Sequence, residues 1–152
     1  LPPDAIPDGK IATGSNVQVV DGNVKTVYTL EDAPAPPAPT GTDVDTERER
    51  RIALPLVVTT SVGSFSINMD PIAQRNLGGL ASVGQYLVAT SSTQTTTFRD
   101  FDNNSHDLTP ADLVGMGLQV AQRIQAMYTK SWAVKALGPP IPSDYEADSY
   151  WT

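Results

Sequence analysis

The sequence predicts an α+β fold: short antiparallel strands packed with two or three helices, including a long C-terminal one, preceded by an extended arm with a β-hairpin. Three observations predict it. Residues 17–30 hold two β-rich runs around Asp21-Gly22, residues 56–68 repeat that pattern in shorter form, and residues 110–136 carry an apolar stripe of helical period. At 152 residues the chain is long enough for one ordinary domain with a core. The predicted organisation is an N-terminal arm over 1–42, a compact α+β domain over 43–137 and an acidic aromatic tail over 138–152.

Residues 1–15, rich in Pro, Gly and Asp and without a period, read as extended or disordered. In "NVQVVDGNVKTVYTL" the Asp21-Gly22 pair supplies the positive φ angles of a tight turn, which predicts strands over 17–20 and 23–30. Such a ribbon is marginal alone in water, so it needs another sheet, a neighbouring subunit or a partner. Pro34, Pro36, Pro37 and Pro39 then make residues 33–42 a semi-rigid spacer. The PxxP spacing of Pro36 and Pro39 leaves a proline-binding-domain ligand as the competing reading. In "DVDTERERRIA" either Asp43 or Asp45 is the predicted cap of a short helix. Its arginines alternate with Glu47 and Glu49, which favours a salt-bridged face over an anion site.

"LPLVVTTSVGSFSIN" reads as strands over 56–61 and 64–68 joined at Val62-Gly63, with Phe65 and Ile67 on one face. Asp70 and Pro71 start the next helix, and Ile72, Leu77, Leu80, Val83, Tyr86 and Leu87 are its expected apolar face. Gly78-Gly79 and Gly84 predict close approach of another backbone. A strand over 95–101 follows. Thr109, Pro110 and Asp112 form a capping box for a helix of about 27 residues, about 40 Å long. Leu113, Val120, Ile124, Met127 and Val134 make its stripe, widened by Leu118, Tyr128 and Trp132.

Seventeen acids against ten bases give a net charge of −7, which argues against nucleic acid, since a binder needs a basic face to replace phosphate counterions. The excess acid sits in the N-terminal third and in "SDYEADSYWT", which read as solvated arms. No run of apolar residues is long enough for a membrane helix, and no membrane partner is predicted. Without cysteine there is no disulfide and no thiolate ligand or nucleophile. The start at Leu1 rather than Met predicts further residues ahead of it.

One stretch looks ready for chemistry: "RDFDNNSHDLTP" gathers Asp100, Asp102, Asn104, His106 and Asp107. Read as a calcium loop, it places Asp100, Asp102 and Asn104 correctly. Ser105 then stands where glycine is needed and Ala111 where the bidentate acid is needed. His106 is the sole histidine, and no GxSxG elbow supplies a nucleophile for it. The simpler reading is a wet turn in which Asn103-Asn104 accept left-handed angles. The sequence predicts no enzyme, no catalytic residue, no metal and no cofactor.

The signals between residues 43 and 137 come in a particular order: "DVDTERERRIA", the short apolar hairpin, "QRNLGGLASVGQYLVA", "FRDFDNNSHDLTPADLVGMGLQVAQRIQAMY" and "SWAVKAL". This resembles a small α+β domain of unknown function that recurs in tailed-bacteriophage tail-fibre and baseplate-associated proteins. "ERERRIA" and "LTPADLVGMG…SWAVKAL" are its most specific pieces, and "VYTLEDAP" is similar to the strand and linker that lead into such domains. Where family members carry a tryptophan and an aspartate-rich turn, this chain has Phe98, Phe101 and "DNNSHD".

The resemblance implies a non-enzymatic virion component, made in the host cytoplasm and located in the phage tail, or its assembly helper. It carries over no catalytic residues. The expected role is a structural or adaptor protein of the tail fibre, baseplate or neck, joined to other virion proteins and forming a homo-oligomer, with a trimer as the first expectation. A tail-fibre assembly chaperone absent from the mature particle is the alternative. An enzyme working through Asp100–Asp107 and a cellular binding module are further readings. The expected protein-interaction residues are Val17, Val19, Val24, Val27 and Tyr28 in the hairpin, and Tyr145, Tyr150 and Trp151 in the tail.

Overall fold

The structure, a computed structural model, describes residues 6–152; the expectation for residues 1–5 lies outside the described residues. The chain divides into two units, residues 1–37 and 38–152. The first holds one antiparallel hairpin, β1 (Lys10–Val20) and β2 (Asn23–Asp32). Asp21 and Gly22 take φ of 53° and 77°, as a tight hairpin turn demands. The ribbon starts earlier than the sequence suggests. The stretch from Lys10 to Ser15, expected as extended or disordered chain, joins the ribbon and pairs with β2 as far as Asp32.

The second unit holds three helices and two further two-stranded sheets: α1 (Gly41–Ile52), β3 (Leu56–Thr60), β4 (Gly63–Ile67), α2 (Pro71–Ala89), β5 (Thr96–Arg99), β6 (Ser105–Leu108) and α3 (Pro110–Ala136). With the arm's hairpin this is the expected α+β class. A single turn of 3₁₀ helix, Asp148–Tyr150, closes the chain. Helix α1 begins before the predicted cap. Thr40 is the N-cap and Asp43 sits at the third helical position, completing a reciprocal capping box. The predicted boundary at 42/43 therefore falls inside the first turn of α1.

Local chemistry explains the other starts. The Asp70 carboxylate accepts from the N–H groups of Ile72 and Ala73, with Pro71 opening α2. Thr109 and Asp112 cap α3 as predicted. Asp112 also accepts from the Ser61 N–H and hydroxyl, both at 2.7 Å, so one carboxylate caps α3 and ties it to the turn between β3 and β4. The free edge of β3 is closed by Gln119, whose amide donates to the Thr59 carbonyl and accepts from the Thr59 N–H.

Two apolar clusters hold this unit. The first joins Val58, Phe65, Ile67 and Met69 to Leu77 of α2, Leu108 of β6, and Leu113, Met116 and Val120 of α3. Each such side chain contributes about 1.5–3 kcal/mol when fully buried. The second joins Val44 and Ile52 of α1 to Met127 and Val134 of α3 and to Trp151. Ile124 touches both.

Helices α2 and α3 pack closely and run antiparallel. A Cβ on Gly84 would lie 2.8 Å from the Leu113 Cβ and 2.9 Å from the Pro110 carbonyl, and one on Gly117 would lie 2.4 Å from the Ala81 Cβ. The predicted close approach is real at Gly84, but Gly78 and Gly79 meet nothing within 4 Å. The expected apolar face of α2 is also only partly covered. Leu77 is buried, whereas Ile72, Val83 and Tyr86 are exposed. On α3, Leu118 and Trp132, expected to widen the stripe, are exposed as well. They lie on the side opposite Leu113, Val120 and Met127, so the buried face of α3 is narrower than the apolar pattern.

Candidate functional site

The hairpin of the first unit has two chemically different faces. Its register pairs Val19 with Val24, Val17 with Thr26 and Ser15 with Tyr28. Alternation puts these six residues on one face. Beyond Ser15 a bulge at Thr13 shifts the phase, so that Ala12 pairs with Leu30 and joins the same face. The result is an apolar stripe of Val17, Val19, Val24, Tyr28, Leu30 and Ala12. The other face carries Asn16, Gln18, Asn23, Lys25 and Glu31 together with Ile11 and Val27.

The valines of that stripe are wet. Val17 is 66% exposed and Val19 and Val24 are each 71% exposed, while Tyr28 is half-buried. Among the described residues neither strand has a pairing partner other than its mate, so both edges offer free N–H and carbonyl groups. A Lys10–Asp32 ion pair at 2.8 Å and an Ala33 N–H to Gly9 carbonyl bond close the open end of the ribbon. Of the expected interaction residues, Val17, Val19, Val24 and Tyr28 share the apolar face. Val27, paired with Asn16, lies on the polar one. Leu30 and Ala12 are the members that sequence reasoning missed: Leu30 continues the period of Val24 and Tyr28 at the predicted end of its strand, and Ala12, in the stretch expected as extended or disordered, joins the face only through the bulge.

The tail residues are placed differently. Residues 138–152, expected as a solvated arm, fold onto α1 and α3. Trp151 is 3% exposed, and Tyr145 and Tyr150 pack beside it on the second cluster. The indole N–H donates to the Tyr145 carbonyl at 2.8 Å, Lys130 Nζ donates to the Trp151 carbonyl at 2.7 Å, and the Arg51 guanidinium lies over the indole ring. In this arrangement Trp151 is a core residue and has no surface to offer a partner.

The Asp100–Asp107 stretch is the turn between β5 and β6, residues 100–104, together with the start of β6. Asp100 is buried and organises it. One carboxylate oxygen accepts from the N–H groups of Asp102 and Asn104; the other accepts from the Asn104 amide and from His106 Nε2 at 2.8 Å. The His106 bond, with the turn N–H groups helping, holds the Asp100 carboxyl down at about 2. His106 is no wet turn residue: it is partly buried and stacked on Phe65 with ring centroids 4.0 Å apart. Four hydrogen bonds use the lone pairs of Asp100, which leaves it a structural acceptor. Among the described residues no group of three His, Asp or Glu side chains is placed to share a metal ion.

Burial alone would raise the Asp112 carboxyl, but bonds from Thr109 and Ser61 outweigh it and hold it at about 2 as well. Both folded values lie below the ordinary 3.8. The stability they contribute is therefore complete above about pH 4 and is lost as pH falls from there toward 2. Thermal melts across that window are expected to show the loss. Asp112→Asn should lower stability by about 2 kcal/mol at pH 7 and flatten the acid limb. An unchanged acid limb would mean that these bonds do not form in solution.

No curated protein and no solved structure matches the chain. Residues 37–149, which span the second unit except for its last three residues, match the model of a domain of unknown function, DUF4376, so the chain belongs to that family.

Proposed function

We propose that this chain is a structural, adaptor-type component of a bacteriophage virion, in the tail fibre, baseplate or neck, and that it attaches to other virion proteins through its N-terminal ribbon. The observation that carries the attachment role is the wet apolar face of β1 and β2. A two-stranded ribbon is marginal in water by itself, and one that leaves Val17, Val19 and Val24 exposed gains most from being covered. A Pro-rich spacer over 33–40 joins the ribbon to the second unit. The phage assignment rests on the resemblance carried by "ERERRIA" and "LTPADLVGMG…SWAVKAL". Closed homo-oligomers are the common way to repeat a subunit about an axis, and three copies is the arrangement tested first.

Quantitative mass spectrometry of gradient-banded phage particles tests this reading. A fixed number of copies per particle, in multiples of three, is expected. Abundance in infected-cell lysate with absence from particles would replace it with the tail-fibre assembly chaperone. A paired experiment addresses the ribbon. Val19→Asp and Val24→Asp are expected to abolish incorporation without moving the melting temperature of the second unit, whereas Val27→Asp on the opposite face is expected to be tolerated. Equal effects of all three would remove the apolar face from the argument.

A further inference from the structure

A hollow of about 150 Å³ lies between α2 and β5, beside the free edge of the β5–β6 hairpin. Its floor is apolar: Leu77 is buried, and Leu80 and Phe98 are half-buried. Its rim carries the exposed polar side chains of Asn68, Asn76 and Arg99. A space of that size holds one benzene-sized group, so it takes a single large apolar side chain.

The backbone beside the hollow selects the form in which that side chain arrives. The Asp100 N–H donates to the Asn104 carbonyl, the first rung of the hairpin. Hydrogen-bonded rungs alternate in an antiparallel pair, so the next are Phe98 with His106 and Thr96 with Leu108. Thr97 and Arg99 therefore turn their N–H and carbonyl groups outward. Among the described residues none of these four groups has a hydrogen-bond partner. The edge is open further back as well. Thr93, Gln94 and Thr95 precede β5 outside any strand, although threonine favours one. Strand β6 ends at Leu108, where the Thr109 cap turns the chain into α3, so it offers them nothing to pair with.

We propose that this groove is a docking site for an extended segment of another protein, which adds a third strand to the β5–β6 sheet. An open row of N–H and carbonyl groups is matched by another strand, and the adjoining pocket then reads one of its side chains. Side chains alternate along β5: Phe98 packs on the core, and Arg99 lies on the other face. The same alternation in the occupant sets an apolar residue over Leu77, Leu80 and Phe98 and puts its neighbour beside Arg99. Arg99 gives one N–H to the Asn103 carbonyl and, among the described residues, forms no ion pair. Asp107, on the same face, accepts instead from the Thr97 hydroxyl at 2.7 Å. A carboxylate is the group that complements this guanidinium. The occupant is thus an extended stretch in which a large apolar residue stands directly beside Asp or Glu.

Short random peptides displayed on yeast and sorted with the purified full-length chain test this. Enrichment of an apolar residue next to an acid is expected. The most enriched peptide, made synthetically, should bind about tenfold more weakly to Asn76→Trp, which fills the hollow. It should lose as much with Thr97→Pro, which removes an outward N–H and which an edge strand accepts. Exchanging the peptide's acid for its amide should weaken binding to the natural chain about tenfold, and to Arg99→Gln less than about twofold. No enrichment, an enriched motif without an acid, or unchanged binding to Thr97→Pro would overturn the proposal. Should Thr97→Pro fail to fold, unchanged binding to Asn76→Trp or an undiminished acid preference in Arg99→Gln would overturn it. The measurement uses purified protein, so its failure is separate from any failure of the virion assignment.

Discussion

Trp151→Ala is expected to destabilise the second unit by about 3–5 kcal/mol, the range for removing a fully buried large aromatic side chain. The melting temperature should fall by roughly 10–20 °C. The indole fills the space between α1 and the C-terminal half of α3 and satisfies its own N–H on the Tyr145 carbonyl. Its removal leaves a cavity lined by Val44, Ile52, Met127 and Val134, and takes the ring from beneath the Arg51 guanidinium. Differential scanning calorimetry of the full chain reads the effect. A loss under about 1 kcal/mol would mean that the tail leaves the domain in solution. Tyr145, Tyr150 and Trp151 would then return as free anchors for a partner, as the sequence first suggested.

That reversal shows where the sequence was readable. Features set by neighbours in the chain were legible: Thr109-Pro110 with Asp112, Asp70-Pro71, and the Asp21-Gly22 turn all formed as their spacing predicts. Each is a contact between residues within three or four positions, so local chemistry decides it. Features set by distant chain were not. An acidic segment such as "SDYEADSYWT" looks solvated until Arg51, almost 100 residues away, accounts for the burial beside it. His106 looks like a turn residue until Phe65 of β4 is laid against it.

The candidate site divides in the same way. Val17, Val19 and Val24, named from their apolar character, fall on one face by the two-residue period. Ala12 reaches that face only through the bulge, Leu30 continues the period of Val24 and Tyr28, and Val27, named with the valines for its apolar character, pairs with Asn16 on the other face. Thr40 was missed as the cap of α1 because two aspartates downstream were better-known caps. In the fold Asp43 reaches back to Thr40 instead.

The buried ion pair of α1 sets the second large expected effect. Glu47 and Arg51 lie one helical turn apart, both almost fully buried, with Arg51 Nε donating to the Glu47 carboxylate at 2.6 Å. Arg50, more exposed, donates to the same carboxylate, and its bond is the main cause holding the Glu47 carboxyl below the ordinary range. Arg51 also donates to the Glu146 carbonyl and the Asp148 carboxylate, so this one guanidinium joins α1 to the tail that carries Trp151. Glu47→Leu should cost about 3–5 kcal/mol, because it leaves the Arg51 charge buried without its principal partner.

Replacing both members separates pairing from packing. If the pair stabilises chiefly by avoiding an orphaned charge, Glu47→Leu with Arg51→Met should recover most of the loss, since a well-packed apolar pair often equals a buried ion pair. If the guanidinium is needed to hold the tail, the double variant should stay destabilised, and Trp151 fluorescence should shift to the red as water reaches the ring. A double-mutant cycle by urea titration, read alongside that emission, tells the two apart. Full recovery with an unshifted spectrum would show that apolar burial of Trp151, without Arg51, is enough to keep the tail on the domain.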